Sequence, residues 1–161
     1  MLFDCFLLAK SEPYDLIIKK FEQKYRIPKG LLKAIMKVES QGHPFAIYSN
    51  KRGGKKSSVM LKGADKAVEY VKSLQRLGVK NINVGCMQIN LKCHQAEDIS
   101  LWFSPEYNIE YAARFLKDLR QRMGSWKKAV AYYHSGTKKQ FHARYLNKVN
   151  GYLTSANLLE I

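Results

Sequence analysis

The chain has 161 residues, 46% of them apolar and 25% charged, which is material for one domain with a core of its own. Lys and Arg number 28 against 13 Asp and Glu, a net charge of +15. That favours an anionic partner (nucleic acid, an anionic membrane surface or a wall polymer carrying carboxylates) without choosing among them, and no run is long enough to span a bilayer.

The start, Met1 to Lys10, is apolar but short, carries Asp4 and lacks a basic leading region, so it reads as a poor signal peptide. Residues 1–12 are expected to be a tail or the remnant of an export segment, and residues 13–161 a single domain. Pro13 to Lys24 reads as the first helix, with Leu16, Ile17 and Phe21 on its apolar side.

A second helix is expected from Pro28 to Ser40, with Pro28 in its first turn and Gln41-Gly42-His43-Pro44 as its stop. Leu31, Ile35, Val38 and Glu39 stand at i, i+4, i+7 and i+8 and share one face, while Lys29, Lys33 and Lys37 recur on another. Between Glu22 and Asp65 lie ten Lys or Arg residues and one carboxylate, Glu39. In the last turn of a helix, beside apolar neighbours, both the dipole and desolvation favour its protonated form, and a carboxyl kept protonated near neutrality is a general acid. The helix alone equally accommodates a Glu that rotates outward at a frayed end or pairs with a nearby Lys.

Tyr48 to Gly63 is the least regular stretch, with residues 49–58 reading as a basic turn that would join two short strands. Ala64 to Leu77 is helical in pattern, with Ala67, Tyr70, Val71 and Leu74 on one face and Gly78 as its stop. Ile82 to Gly85 alternates briefly, as a short strand would. Beyond Ser104-Pro105, the residues Ile109, Ala112, Ala113, Leu116, Leu119 and Met123 mark a long amphipathic helix that ends at Gly124. Trp126, Val130 and Tyr133 form the inner face of a shorter helix, and Phe141, Tyr145, Val149, Tyr152 and Leu153 that of a last one. The sum is a mainly α domain with at most a small β element. Cys5, Cys86 and Cys93 match no metal spacing; buried free thiols, a Cys86–Cys93 bridge and a metal held by Cys93-His94 are the readings open.

At Glu39-Ser40, Gly85-Cys86-Met87-Gln88-Ile89-Asn90, Asn108-Ile109 and Tyr133-His134-Ser135-Gly136, in this order and spacing, the chain resembles the lytic transglycosylases of the soluble type. The resemblance runs from about Asp15 to Tyr152. It implies a lysozyme-like, mainly α fold over residues 13–161 and cleavage of peptidoglycan glycan strands between N-acetylmuramic acid and N-acetylglucosamine, leaving a 1,6-anhydro end. Carried over residue by residue, it makes Glu39 the catalytic acid and Ser40 a residue that orients the carboxyl or its surroundings. Gln88 and Asn90 then line the sugar groove, and Tyr133 reaches toward acid and substrate. The family usually has Leu at Cys86, Gly at Ala112, Tyr at Phe115 and Asn at His134. His134 is the departure nearest the chemistry, as a sugar contact, a titrating group at the groove or a helix C-terminal cap.

The resemblance implies no metal and no cofactor, a monomer at the cell envelope or in the periplasm, and service to wall remodelling or to a secretion or motility apparatus. A typical glycosidase uses two carboxylates, yet none follows Glu39 closely; one acid suffices if the substrate's own 2-acetamido oxygen stabilises the cationic carbon. Two competitors stand beside this reading. A hydrolytic muramidase of the phage-lysozyme pattern would have Asp nine residues after the Glu, where this chain has Tyr48. A basic module binding nucleic acid would explain the charge, but no nucleic-acid motif is present and no nucleic-acid partner is expected.

Overall fold

A computed structural model describes residues 13–50 and 56–154. Six helices and a small sheet follow one another as α1 (Asp15–Tyr25), α2 (Leu31–Ser40), β1 (Ala46–Asn50), β2 (Lys56–Met60), α3 (Ala64–Arg76), β3 (Asn81–Val84), β4 (Ile89–Asn90), α4 (Pro105–Met123), α5 (Trp126–Ser135) and α6 (His142–Asn150). Short 3-10 helices at Ile99–Phe103 and Lys139–Phe141 introduce α4 and α6. The domain is therefore mainly α and lysozyme-like, with a four-stranded antiparallel sheet in the order β2-β1-β3-β4. Among the described residues no helix is long and apolar enough to cross a membrane. The expected tail at 1–12 lies outside the described residues.

The long helix forms where its periodicity places it. Ser104 caps its first turn, Pro105 occupies a position where no N–H is needed, and Gly124 ends it with φ of 80°. Its inner face buries Ile109, Ala112, Ala113 and Leu116 completely. α1 and α5 pack on it, α6 packs on α5, and α2 packs on α6. Leu31, Leu32 and Ile35 of α2 are as fully buried, and each such side chain contributes about 1.5–3 kcal/mol of transfer free energy. Trp102 fills the space beside α4, with the rings of Tyr107 and Tyr111 edge-on to it at 5.2 and 4.8 Å.

Several expectations need correcting. Leu16 is 82% exposed, and the inner face of α1 is instead Ile18, Phe21 and Glu22. Pro28 lies outside α2, which begins after Gly30, and the helix stops one residue before the glycine, at Gln41 with φ of 58°. The start of α2 is held by Glu22: the N–H of Gly30 donates to Oε2 at 2.9 Å and that of Leu32 to Oε1 at 3.0 Å. This buried carboxylate caps a helix on which it does not lie. Burial raises its pKa above the usual value, and the two backbone donors act against that rise. Residues 46–60 are more regular than read, because β1 and β2 pair in register from Ala46 with Met60 to Asn50 with Lys56; the turn at 51–55 lies outside the described residues. Phe141 and Tyr152 are about half exposed, so the inner face of the last helix is Tyr145, Leu146 and Val149.

Candidate active site

α2 carries Glu39 to its C-terminal end, where the side chain keeps 13% exposure. Its Oε1 accepts a hydrogen bond of 2.6 Å from the hydroxyl of Tyr145 on α6. Tyr145 is almost wholly buried; desolvation first, then the charge of Glu39 and the bond to it, push the phenol well above its usual range. It therefore stays a donor. His134, at the end of α5, lays its ring on that of Tyr145 at 4.1 Å and 8° and brings Nδ1 to 3.7 Å from the same Oε1. Among the described residues none donates a hydrogen bond to Oε2 of Glu39, which leaves that oxygen for a ligand.

Ser40 turns the other way. It is 4% exposed, its hydroxyl donates to the carbonyl of Cys86 at 2.7 Å, and it accepts from the N–H of Gly42 at 3.1 Å. Its contacts are with the turn at 85–88 and with the backbone just beyond α2, and its hydroxyl makes no hydrogen bond to the Glu39 carboxyl. Tyr133 acts on the same turn, donating to the carbonyl of Met87 at 2.7 Å. Burial, with the Glu39 charge as the next cause, raises its phenol well above the usual range.

The turn is braced from a third side by Asn108, fully buried on α4. Its Oδ1 accepts from the N–H of Met87 at 2.7 Å and its Nδ2 donates to the carbonyl of Val84 at 3.3 Å. Gly85 has φ of 79°, and a Cβ there would stand 2.4 Å from Nδ2 of Asn108 and 2.5 Å from the carbonyl oxygen of Trp102. Only glycine fits, on both conformational and steric grounds. The turn in this way ties α2, α4 and α5 together beneath the acid.

Gln88, at φ of 51°, donates its side-chain amide to the carbonyls of Ala46 at 3.1 Å and Gly85 at 2.9 Å. Asn90 donates to Oδ1 of Asn81 and of Asn83, both at 2.6 Å, and accepts from the N–H of Lys92 at 2.9 Å. Both amides are thus engaged within the sheet, closing the turn onto β1 and joining β4 to β3. Of the residues singled out in the sequence, Glu39 and His134 come together directly, Ser40 and Tyr133 converge on the turn, Gln88 closes that turn onto β1, and Asn90 lies on β4 beyond it. Tyr145, which the sequence presents only as an inner-face residue, is the side chain that holds the acid. The available signal was its hydroxyl, because a buried Tyr needs a hydrogen-bond partner.

The other described acids are accounted for elsewhere. Asp15 pairs with Lys33, Glu106 with Lys20 and Glu110 with Lys24, and Glu22 caps α2. Asp65, Glu69 and Asp98 line a cavity of about 880 Å³ beside α3, one that contains none of the residues above, and Glu97 is exposed next to Asp98. Asp118 lines another, of about 410 Å³, with Tyr25, His94 and Tyr111. Tyr48, nine residues after the acid, pairs with Ser58 and Asn83 inside the sheet.

Among the described residues no three His, Cys, Asp or Glu gather as metal ligands. His94 shares a hydrogen bond of 2.8 Å with the hydroxyl of Tyr111. Cys86 and Cys93 are both free: Cys86 is buried, with its thiol pushed up to about 12 by desolvation, but Cys93 is exposed, so neither the bridge nor two buried thiols describes the pair. Cys5 lies outside the described residues.

The arrangement is a mostly buried carboxyl with one oxygen held by a neutral phenol and the other open. It can give and take one proton at a fixed place. The family model of the transglycosylase SLT domain matches residues 16–153. No curated protein matches the chain, and no solved structure does.

Proposed function

The chain belongs to the soluble lytic transglycosylases of the lysozyme-like superfamily, enzymes that act on peptidoglycan, and on that premise we propose that Glu39 is its catalytic residue. The bond broken is the β-1,4 bond between N-acetylmuramic acid and N-acetylglucosamine. Protonated Glu39 gives its proton to the glycosidic oxygen, and the N-acetylglucosamine side departs with a free hydroxyl. The muramoyl C1 is left electron-poor and is stabilised by the substrate's own acetamido oxygen. Glu39, now a carboxylate, takes the proton of the muramoyl C6 hydroxyl, and the C6 oxygen bonds to C1 to close the 1,6-anhydro ring. One bond breaks, one forms, Glu39 ends as it began, and no water is consumed.

The observation that carries this reading is the company the acid keeps: among the described residues Glu39 meets a phenol and an imidazole, and no second carboxylate bonds to it or to them. The remaining described carboxylates occupy the ion pairs, the helix cap, the loop and the two cavities named above, and the position of a lysozyme-type second acid is taken by Tyr48 in the sheet. A mechanism with a separate nucleophile or base needs a second carboxylate about 5–10 Å from the first. A single carboxyl used twice does not. Tyr145 and His134 both lie on Oε1, which supports a carboxyl held in one orientation through both halves of the reaction.

Ser40 and Tyr133 support catalysis in this reading by fixing the carbonyls of Cys86 and Met87, and Gln88 and Asn90 by holding the sheet edge of the groove. The net charge of +15 suits a wall whose stem peptides carry carboxylates. A peptidoglycan substrate supports action at the cell envelope or in the periplasm.

Mass spectrometry of the products released from purified peptidoglycan tests the reading. Muropeptides lighter by one water at each muramoyl end support it, reducing ends mean a hydrolase, and no release sinks both.

A further inference from the structure

His134 stands where the family usually has an amide, and its geometry is too well defined for an incidental surface group. Its ring lies flat on a buried partner, Tyr145, at 4.1 Å and 8°, which holds Nδ1 at 3.7 Å from Oε1 of Glu39. That distance is too long for a hydrogen bond, and Oε1 already accepts one of 2.6 Å from Tyr145. The link between His134 and Glu39 is therefore one of charge. Of the titratable groups on the surrounding elements, Glu39 of α2 and Tyr145 of α6 face His134. On α5 itself Tyr133 points to Met87, and its ring meets α4 through Phe115, while Lys138 and Lys139 beyond the helix are exposed. Both tyrosines are held neutral by burial. The pair whose charges can change together is Glu39 and His134.

We propose that His134 is a positioning residue that acts through Glu39, its imidazolium holding the carboxyl in the charged state after the proton has passed to the leaving oxygen. The inference rests on the reading of Glu39 as general acid. Proton donation turns a neutral group into an anion, so a cation beside it interacts more strongly with the transition state than with the resting acid. An amide at this place cannot do this. No proton is transferred to or from His134 in the cycle; its charge alone contributes. Because its side chain is 42% exposed, solvent screens part of the effect. The consequence is a pH dependence: the contribution of His134 is present only while its ring is an imidazolium and is lost as that proton leaves with rising pH.

The experiment compares the pH profiles of kcat and KM on peptidoglycan for the intact protein, His134→Phe and His134→Asn. Phe preserves the ring stack on Tyr145 without the charge, and Asn removes both. Both variants should lose about tenfold in kcat at the optimum, the size of a one-unit coupling, with KM changed less, and both should lack one ionisation of the alkaline limb. A Phe variant with the intact profile would reduce His134 to a packing partner of Tyr145 and overturn the proposal.

A second readout is independent of turnover. The His134 imidazole titration followed by NMR should move to lower pH in Glu39→Gln, because the anion that favours the imidazolium is gone. Equal midpoints overturn the coupling. If the intact protein releases no glycan at any pH while the midpoints differ, what fails is the reading of Glu39 as the acid and not the pairing.

Discussion

The hydroxyl of Tyr145 lies 2.6 Å from Oε1 of Glu39, across 106 positions of sequence. A phenol kept neutral by burial and aimed at one oxygen of a carboxyl fixes that carboxyl's rotation, and in the proposed mechanism the second oxygen is the one that serves the substrate. We expect Tyr145→Phe to lower kcat on peptidoglycan by about 10- to 100-fold, less than the full contribution of a general acid. The fold should lose about 1 kcal/mol, the net value of one hydrogen bond. Steady-state kinetics and thermal unfolding of the variant check both, and unchanged kcat would remove Tyr145 from the chemistry.

Glu39→Gln should abolish release of anhydro-muropeptides, a fall of at least about 1,000-fold, because an amide can neither give nor take the proton. Tyr145 still finds an acceptor in the amide oxygen, so the circular dichroism spectrum and melting temperature should stay near those of the intact protein. Residual turnover at a tenth of the original rate would assign the acid role to another group.

Tyr133→Phe removes the bond to the Met87 carbonyl but not the carboxyl. The expected loss of activity is smaller than for Glu39→Gln, accompanied by about 1–3 kcal/mol of stability for a buried carbonyl left without its donor. Activity and stability both equal to those of the intact protein would show that the turn does not depend on this brace.

Asn108→Leu is nearly isosteric and removes three bonds at once, at the thiol of Cys86, the N–H of Met87 and the carbonyl of Val84, in a buried place. A loss of about 3 kcal/mol or more in denaturant unfolding is expected. Activity of the remaining folded fraction should fall too, as the floor beneath Glu39 loosens.

Glu22 gives a pH-dependent term in stability. Its carboxyl pKa is raised in the folded state by burial, so the native protein binds this proton more tightly than the unfolded chain does. Stability from this group is then greatest below the unfolded value and declines as pH rises from there through the folded value. In Glu22→Gln the decline should vanish, so the difference between the two proteins is largest on the acid side of that window. At neutral pH the variant should still be less stable by about 1–3 kcal/mol, since the amide offers one acceptor to the two donors of Gly30 and Leu32. Urea unfolding between pH 4 and 8 measures both; a pH-independent difference would contradict the assignment.

Much of this protein is legible in its sequence because the signals are local. The long helix Pro105–Met123 announces itself through a cap, a proline, an apolar period and a terminal glycine, all within twenty-one residues. The motif order from Glu39 to Gly136 identifies the family for the same reason, since each piece sits at a helix end or a turn whose backbone requires those residue types. The small sheet was harder. β4 has two residues and exists only because β3 pairs with it, so no alternation within its own length could mark it. Glu22 reads as one more charge on a basic helix, although it caps the next helix eight residues on.

The sequence by itself determined the mainly α architecture, the family and the candidate acid, since periodicity, caps and motif spacing are properties of neighbouring residues. Only the tertiary structure decided what stands around that acid. Tyr145 and His134 reach Oε1 because α6 packs on α2 and α5 packs on α6, and Ser40, Asn108 and Tyr133 meet at one turn because α2, α4 and α5 each send a side chain there. Those contacts join residues 21 to 106 positions apart. Their distances depend on how whole helices are packed, and no local pattern carries that information.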